Sequence, residues 1–546
     1  LSKVKLSACL IVRNEQHLLP DCLHSIRQAV DEIIVVDTGS TDETIAIAKQ
    51  AGAIVLEIPW NDDFAAARNL SLAHATGKWV LILDADERLD AESIPLLRKL
   101  VEGNDPYEGY FIRVEHVMGD GFDPIPMTVN PLLRLFRNRE AYRFEGAIHE
   151  QIASVIIREK VDAVLAFTPI RVLHLGYQPH IVSGKDKIAR NIHMLERIIE
   201  TEGRQPFHLF NLAVERLRKG DDITALTLLR EAREITPLSA SFAHLMIKIE
   251  AWACARIGKI DEAVQLCTAG IKDFPDYTDL HFALAVYYDA SGNRHAAIEA
   301  MREAARIGTP PSHYHTEGGV GTFRAHMQLG AWALEARAWR EAARAFDAAL
   351  AAEGCPAAAW LASVRLRRVQ GDLPALSEAA AQWLQAQPQA LRAALLSAAQ
   401  HGGGSALDLP HATAAHNAPT PPVGSSVTPQ AQPTAASAGS PASSAAKNPS
   451  RTSATVSLAD LLADNNNTNN KHNNNLSTPS KHKQHVQPTM TNTPIAQALS
   501  SLSKADIALA RLQQYPWSRT SAATSRLLLP LYALALSAQT KEAPTI

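Results

Sequence analysis

The chain has 546 residues, and its most chemically loaded stretch is KWVLILDADE, Lys78 to Glu87. Trp79 to Leu83 is an apolar run that empties directly into Asp84, Asp86 and Glu87. Such a run reads as a buried parallel strand, although its periodicity alone does not separate it from buried helix. If the chain bends after Leu83, the carboxylates of Asp84 and Asp86 can share a cation. Mg2+ or Mn2+ suits oxygen ligands of this kind, and nucleotide phosphates can complete its coordination. The plainer reading is a strand end whose acids only face solvent. Asp37 repeats the arrangement, because it follows the strand candidate Glu32 to Val36 and precedes Thr38, Gly39, Ser40, Thr41 and Asp42. Further on, His149 and Glu150 form the best local acid/base pair, able to take a proton from an attacking nucleophile or simply to fasten a loop.

These residues need elements to position them. Leu6 to Val12 reads as a first strand ending at Arg13, Asn14 and Glu15, and Leu18 to Ala29 as a helix with Leu19, Leu23 and Ile26 on one face. After the strand 32–36, Gly39 permits a tight turn and Ser40 or Thr41 can cap a helix over 42–51. Ala53 to Ile58 is a third strand. Strand, helix, strand, helix, strand implies a parallel sheet with helical crossovers. In such sheets ligands bind beyond the carboxyl ends of the strands, where Asp37 and Asp84 fall. Asp62 or Asp63 can cap the helix that contains Arg68 and Asn69, Ile94 to Val101 reads as a helix, and Gly109 to Val117 as a strand.

Asn14-Glu15, VVDTGSTDET at Val35 to Thr44, and LDADE at Leu83 to Glu87 together resemble the elements of family 2 glycosyltransferases with the GT-A fold. WNDDFAAARNL at Trp60 to Leu70, PLLRLFR at Pro131 to Arg137 and YRFEGAIHE at Tyr142 to Glu150 are similar to a bacterial subgroup joined to tetratricopeptide repeats. The resemblance implies that Asn14, Glu15 and Asp37 engage a uridine-type nucleotide. It implies that Asp86 is the more direct metal ligand and Asp84 lies closer to nucleotide or ribose. Arg68 and Asn69 would belong to the donor pocket, with a structural salt bridge as the other reading of Arg68. Many family members carry a Glu-Asp type base motif that this chain lacks, which leaves Glu150, His149 or another group as base. In the family a late His completes the metal or diphosphate site. His174, in VLHLGY, fits that place, and a buried structural histidine is its other reading.

The expected organisation is an α/β nucleotide-sugar-binding GT-A-like domain over 1–200, an all-α tetratricopeptide-like solenoid over 205–388, a disordered segment over 390–495 and short helices within 496–546. The solenoid follows from a 34-residue recurrence, Gly258 to Gly292 and Ala263 to Ala297. Thr309 to Gly321, with His313 and His315, interrupts the repeats and reads as a plain linker, a binding loop or metal site being the other readings. Beyond Gln389, Ala, Pro, Ser, Thr and Asn dominate.

A net charge of -3 with 20% charged residues advertises no nucleic-acid surface. Five cysteines without metal-ligand spacing suggest a reducing cytoplasm, with peripheral attachment at the inner membrane an added option. The expected function is metal-dependent inverting transfer of a hexosyl or N-acetylhexosaminyl group from a UDP-sugar to a glycan, lipid-linked, protein or peptide acceptor. The repeats would recruit a protein partner or support a homodimer. The competing readings are a noncatalytic repeat scaffold with a vestigial transferase domain and a nucleotidyltransferase.

Overall fold

The computed structural model describes residues 4–118, 125–175, 184–369, 376–387 and 389–401. The described residues form two compact units that meet in sequence at Gly321 and Thr322.

The first unit opens with β1 (Leu6–Val12), α1 (Leu19–Ile26), β2 (Glu32–Asp37), α2 (Thr44–Gln50), β3 (Ile54–Glu57), α3 (Phe64–His74) and β4 (Trp79–Asp84). β1 pairs in parallel with both β2 and β4, and β2 with β3, as the alternation of apolar runs and amphipathic segments requires. The register sets Asp37 opposite Val12 and Asp84 opposite Ile11, so both acids leave the same sheet edge. Leu6, Ala8, Leu10, Val35, Leu81 and Leu83 pack with Leu19, Cys22 and Ile26 of α1 on one face of the sheet. Cys9, Ile34, Val80 and Ile82 pack with Ala65 and Leu72 of α3 on the other. Burial on both faces explains why the strands read as continuous apolar runs. The cap of α2 differs from expectation. Ser40 Oγ accepts from the Asn14 amide instead, and the helix begins three residues after Thr41 with no side-chain cap.

β5 (Glu87–Leu89), α4 (Ile94–Glu102), β6 (Gly109–Met118), β7 (Ile125–Arg137), α5 (Ala153–Glu159) and β8 (Leu165–His174) complete the domain. The strand order is β3-β2-β1-β4-β7-β6-β8-β5. β7 runs antiparallel to β4 and β6, and β5 antiparallel to β8, which sets Glu87 opposite His174.

Helices follow as α6 (Gly184–Glu202), α7 (Pro206–Lys219), α8 (Asp222–Ile235), α9 (Ala243–Arg256), α10 (Ile260–Asp273), α11 (Thr278–Ala290) and α12 (Arg294–Ile307). The pairs turn at Gly220, Gly258 and Gly292, whose φ angles of 91°, 81° and 82° lie where glycine is at ease. α9 has no amphipathic pattern to mark its start at Ala243. It is buried from Ala243 through Ala255, and a helix buried on all sides shows no amphipathic period.

The insertion 309–321 is not a plain linker. Thr316–Glu317 forms β9, which pairs antiparallel with Val129 and Thr128 of β7 and so joins the sheet. The boundary of the first unit therefore falls at Gly321, whereas the composition changes near residue 205, where the paired helices begin.

The second unit contains α13 (Phe323–Glu335), α14 (Trp339–Leu350), α15 (Ala357–Val369), α16 (Glu378–Ala386) and α17 (Gln389–His401). α13 and α14 turn at Arg337, with φ 58° in place of the glycine of the earlier pairs. α17 extends regular structure past 390, where composition pointed to disorder. The remainder of the expected segments 390–495 and 496–546 lies outside the described residues.

Candidate active site

The site is built on the edge where β2, β1 and β4 end. Asp37 is 1% exposed, and its Oδ1 accepts from the amides of Gly39 and Ser40 at 2.9 and 2.8 Å. Gly39, at φ 100°, makes that turn possible. Asn14, itself at φ 56°, accepts from Thr41 N at 2.8 Å and donates through its amide to Ser40 Oγ, also at 2.8 Å. The end of β1 is thus laced to the loop after β2. Asp37 Oδ2 is buried, and among the described residues it has no hydrogen-bond partner. A nucleotide N–H or hydroxyl is the kind of group that satisfies it. Glu15 donates its amide to Thr44 Oγ1 at 2.7 Å. Burial and the charge of Asp86 push its carboxyl up to about 7.

Next to this loop lies a cluster of two arginines and three acids. Arg68 reaches it from α3, whose start is capped by Asp63 accepting from Ala66 N at 2.9 Å. The Arg68 guanidinium donates to Asp84 Oδ1 at 2.9 Å and to Glu150 Oε1 at 2.5 Å. Arg134 donates to Asp84 Oδ2 at 3.0 Å and to Glu87 Oε1 at 2.9 Å. Burial opposes ionisation of Asp84, but the Arg134 and Arg68 guanidiniums outweigh it and hold its carboxyl well below the usual range. Burial wins at Glu87, whose carboxyl is raised even beside Arg134.

Sequence reading missed Arg134, and the reason is geometric. Tyr110 of β6 faces Leu135 while Phe111 faces Leu133, so Arg134 is the extra residue of a bulge. Bulges re-aim side chains, and no periodicity announces them.

The remaining expected residues divide. Asn69 donates to Phe144 O at 2.9 Å and accepts from Phe144 N at 2.7 Å, so its amide is spent on holding the loop that carries Glu150. Glu150 is brought to the cluster through Arg68. His149 is not: its ring lies 6.4 Å from that of Phe207 in α7, with burial, then Arg218 and His208, pushing its imidazole down to about 3.

Asp86 stands apart from the arginines. Its Oδ2 is 2.9 Å from His174 Nε2, and its carbonyl accepts from Leu175 N at 3.0 Å. Burial opposes charge on His174, but Asp86 outweighs it and raises the imidazole. Of the three expected metal ligands, Asp84 has both oxygens committed to guanidiniums, whereas Asp86 and His174 adjoin through one oxygen and one nitrogen donor. No cluster of three or more metal-ligating side chains converges among the described residues. The pair fits Mg2+ or Mn2+ in the way these ions meet nucleotide diphosphates, with one or two protein ligands and the rest from phosphate and water.

A parallel sheet with Asp37, Asp84 and Asp86 at its carboxyl edge, continued by antiparallel strands, defines a GT-A-like domain. Residues 7–163 match the profile described as Glycosyl transferase family 2. The chain carries an N-terminal catalytic domain of that family, fused to tetratricopeptide-like helices. A TPR repeat-containing protein of Synechococcus elongatus is 39% identical over 188 residues, covering 34% of this chain and 44% of that protein. The SPbeta prophage-derived glycosyltransferase SunS of Bacillus subtilis is 29% identical over 216 residues, covering 37% and 46%. The chain thus spans less than half the length of these two curated relatives. The structure of S. aureus TarS 1-349 in complex with UDP-GlcNAc covers 47% of this chain and 89% of its own, at 15% identity and a TM-score of 0.31.

Proposed function

We propose that this protein transfers a sugar, with inversion, from a uridine diphosphate sugar to a hydroxyl or other nucleophile of a glycan, lipid-linked, protein or peptide acceptor. The observation that carries this reading is the convergence on one sheet edge of a buried unpaired acceptor at Asp37 and the Asp86–His174 pair, within a family 2 domain. Asp37 Oδ2 receives a donor group of the nucleotide, and the 37–41 loop laced by Asn14 shapes its pocket. Asp84 is held by Arg68 and Arg134 and fixes the turn that presents Asp86. Asp86 and His174 would hold Mg2+ or Mn2+, which would supply positive charge against the diphosphate leaving group. Glu150 keeps Oε1 on Arg68 with its side chain 15% exposed, and we assign it the acceptor's proton. His149 faces the helices and has no part in that step.

The test is nucleoside diphosphate release from a panel of nucleotide sugars, with Mg2+ or Mn2+ present and then chelated. Metal-dependent release confined to a uridine diphosphate sugar is expected. Neither release nor binding across the panel would favour the scaffold reading, and pyrophosphate in place of nucleoside diphosphate would favour nucleotidylation.

A further inference from the structure

A line of buried side chains leads away from Asp86. His174 Nδ1 lies 2.6 Å from Nδ1 of His116, and His116 Nε2 lies 2.9 Å from Nδ2 of Asn130. His116 is 4% exposed and Asn130 2%. Only one proton fits between two facing ring nitrogens, so one imidazole donates and the other accepts. Both rings must be neutral for His174 to meet a cation, and the Asn130 amide then decides the direction.

With Asn130 Nδ2 donating to His116 Nε2, His116 carries its proton on Nδ1 and gives it to His174. His174 then carries its own proton on Nε2, towards Asp86. With the amide turned over, Oδ1 faces His116, whose proton moves to Nε2; His174 is protonated on Nδ1, and its Nε2 lone pair is open to a cation. Each ring holds one proton in both arrangements, so they differ in the placement of two protons and not in charge. Among the described residues, turning the amide sacrifices no bond at Oδ1, which is buried without a hydrogen-bond partner there.

Asn130 is in turn held from the repeat region. β9 pairs with the two residues before it, Thr128 and Val129. β9 is pinned by Asp279 of α11, which accepts from Glu317 N at 2.9 Å and from the Thr316 hydroxyl. Lys248 of α9 binds Asp279 at 2.6 Å and the Glu317 carboxylate at 2.8 Å. Lys248, Asp279 and Thr316 are all buried. Charges buried this deep cost free energy, and fixing a register is their best-attested use.

We propose that His116 and Asn130 are positioning residues for the donor site. They set the tautomer with which His174 meets Asp86 or a divalent cation, and the insertion in the repeats holds them in place. This rests on the reading of Asp86 and His174 as cation ligands.

The test titrates Mn2+ into the full chain with UDP present, following free Mn2+ by electron paramagnetic resonance. His174→Ala should abolish the tight site. His116→Phe, which keeps a ring but no relay, should weaken it about 10- to 100-fold, the usual cost of losing an outer-shell partner. Asn130→Asp, which only accepts while ionised, should keep it. If His174→Ala loses the site and His116→Phe retains full affinity, the relay is overturned and the cation reading stands. If the parent chain and His174→Ala behave alike, both fall. Should His116→Phe fail to fold, imidazole 15N spectra of the unsubstituted chain decide the matter. On addition of Mg2+ and UDP, His116 should exchange an Nδ1 proton for an Nε2 proton, and an unchanged tautomer would overturn the proposal.

Discussion

At the level of single residues, Arg134 answers two carboxylates through one nitrogen, and Glu87 lies beneath it with 3% of its side chain exposed. Removing one partner of a buried pair costs about 3–5 kcal/mol, because the remaining charge stays buried. Arg134→Met is therefore expected to lose stability of that order in urea unfolding; a change under about 1 kcal/mol would mean that the acids relax without it. Asp86 bears on one imidazole and not on two buried guanidiniums, so Asp86→Ala should lose metal-dependent UDP binding with a smaller loss of melting temperature than Arg134→Met. Unaltered Mn2+ affinity would remove Asp86 from the site. His149 gives a pH prediction. Burial and Arg218 hold its imidazole near 3 in the fold, against an ordinary value of 6.5. The unfolded chain thus takes up a proton that the folded chain refuses, and stability contributed by this group falls as pH drops from about 6.5 towards 3. Its φ of 56° suits asparagine, so His149→Asn should flatten that slope in thermal melts across pH.

At the level of elements, β4 depends on Gly77. A Cβ there would meet Ser7 Oγ at 2.5 Å and Ser7 N at 2.8 Å. Gly77 N also donates to Ser7 Oγ at 2.8 Å, so the two cannot simply part. Gly77→Ala should cost about 1–3 kcal/mol through the shift it forces, and an unchanged denaturant midpoint would show that Ser7 yields freely. The parallel strands β1, β2 and β4 were legible because burial on both faces writes them as apolar runs, and the acids at their ends were legible with them. β7 was less so: it contains Asn130, Pro131 and Arg134 within a strand that bulges. The residues that complete the cluster and the relay, Arg134, His116 and Asn130, come from these antiparallel strands. Their roles arise from register, and register between distant strands leaves no local trace in sequence. His149 and Glu150 misled in another way, because adjacent residues after a glycine turn face opposite ways here. Glu150 faces Arg68, and His149 faces Phe207.

At the level of the molecule, the sheet and the first three helix pairs belong to one compact unit ending at Gly321. A chain ended at Gly321 should retain donor binding and a cooperative melt, whereas one ended at Gln205 lacks β9 and the Lys248–Asp279 lock and should lose tight Mn2+ binding. Equal Mn2+ affinity in the two would show that the catalytic domain needs nothing from the repeats. The 34-residue recurrence told which helices pair, but it gave no sign that the insertion between them returns to the sheet. That return turns on two residues, Thr316 and Glu317, too few for any strand pattern.

The same strand fixes an order of events during synthesis. β7 leaves the ribosome with Arg137, but its partner β9 follows only at Glu317, after 180 further residues. At about 5–20 residues per second, the nascent chain leaves the Thr128–Val129 edge uncovered for roughly 10–40 s. Pro126 and Pro131 flank that edge, and proline is a poor template for a foreign strand, so the waiting edge is guarded by its own neighbours until the repeats arrive.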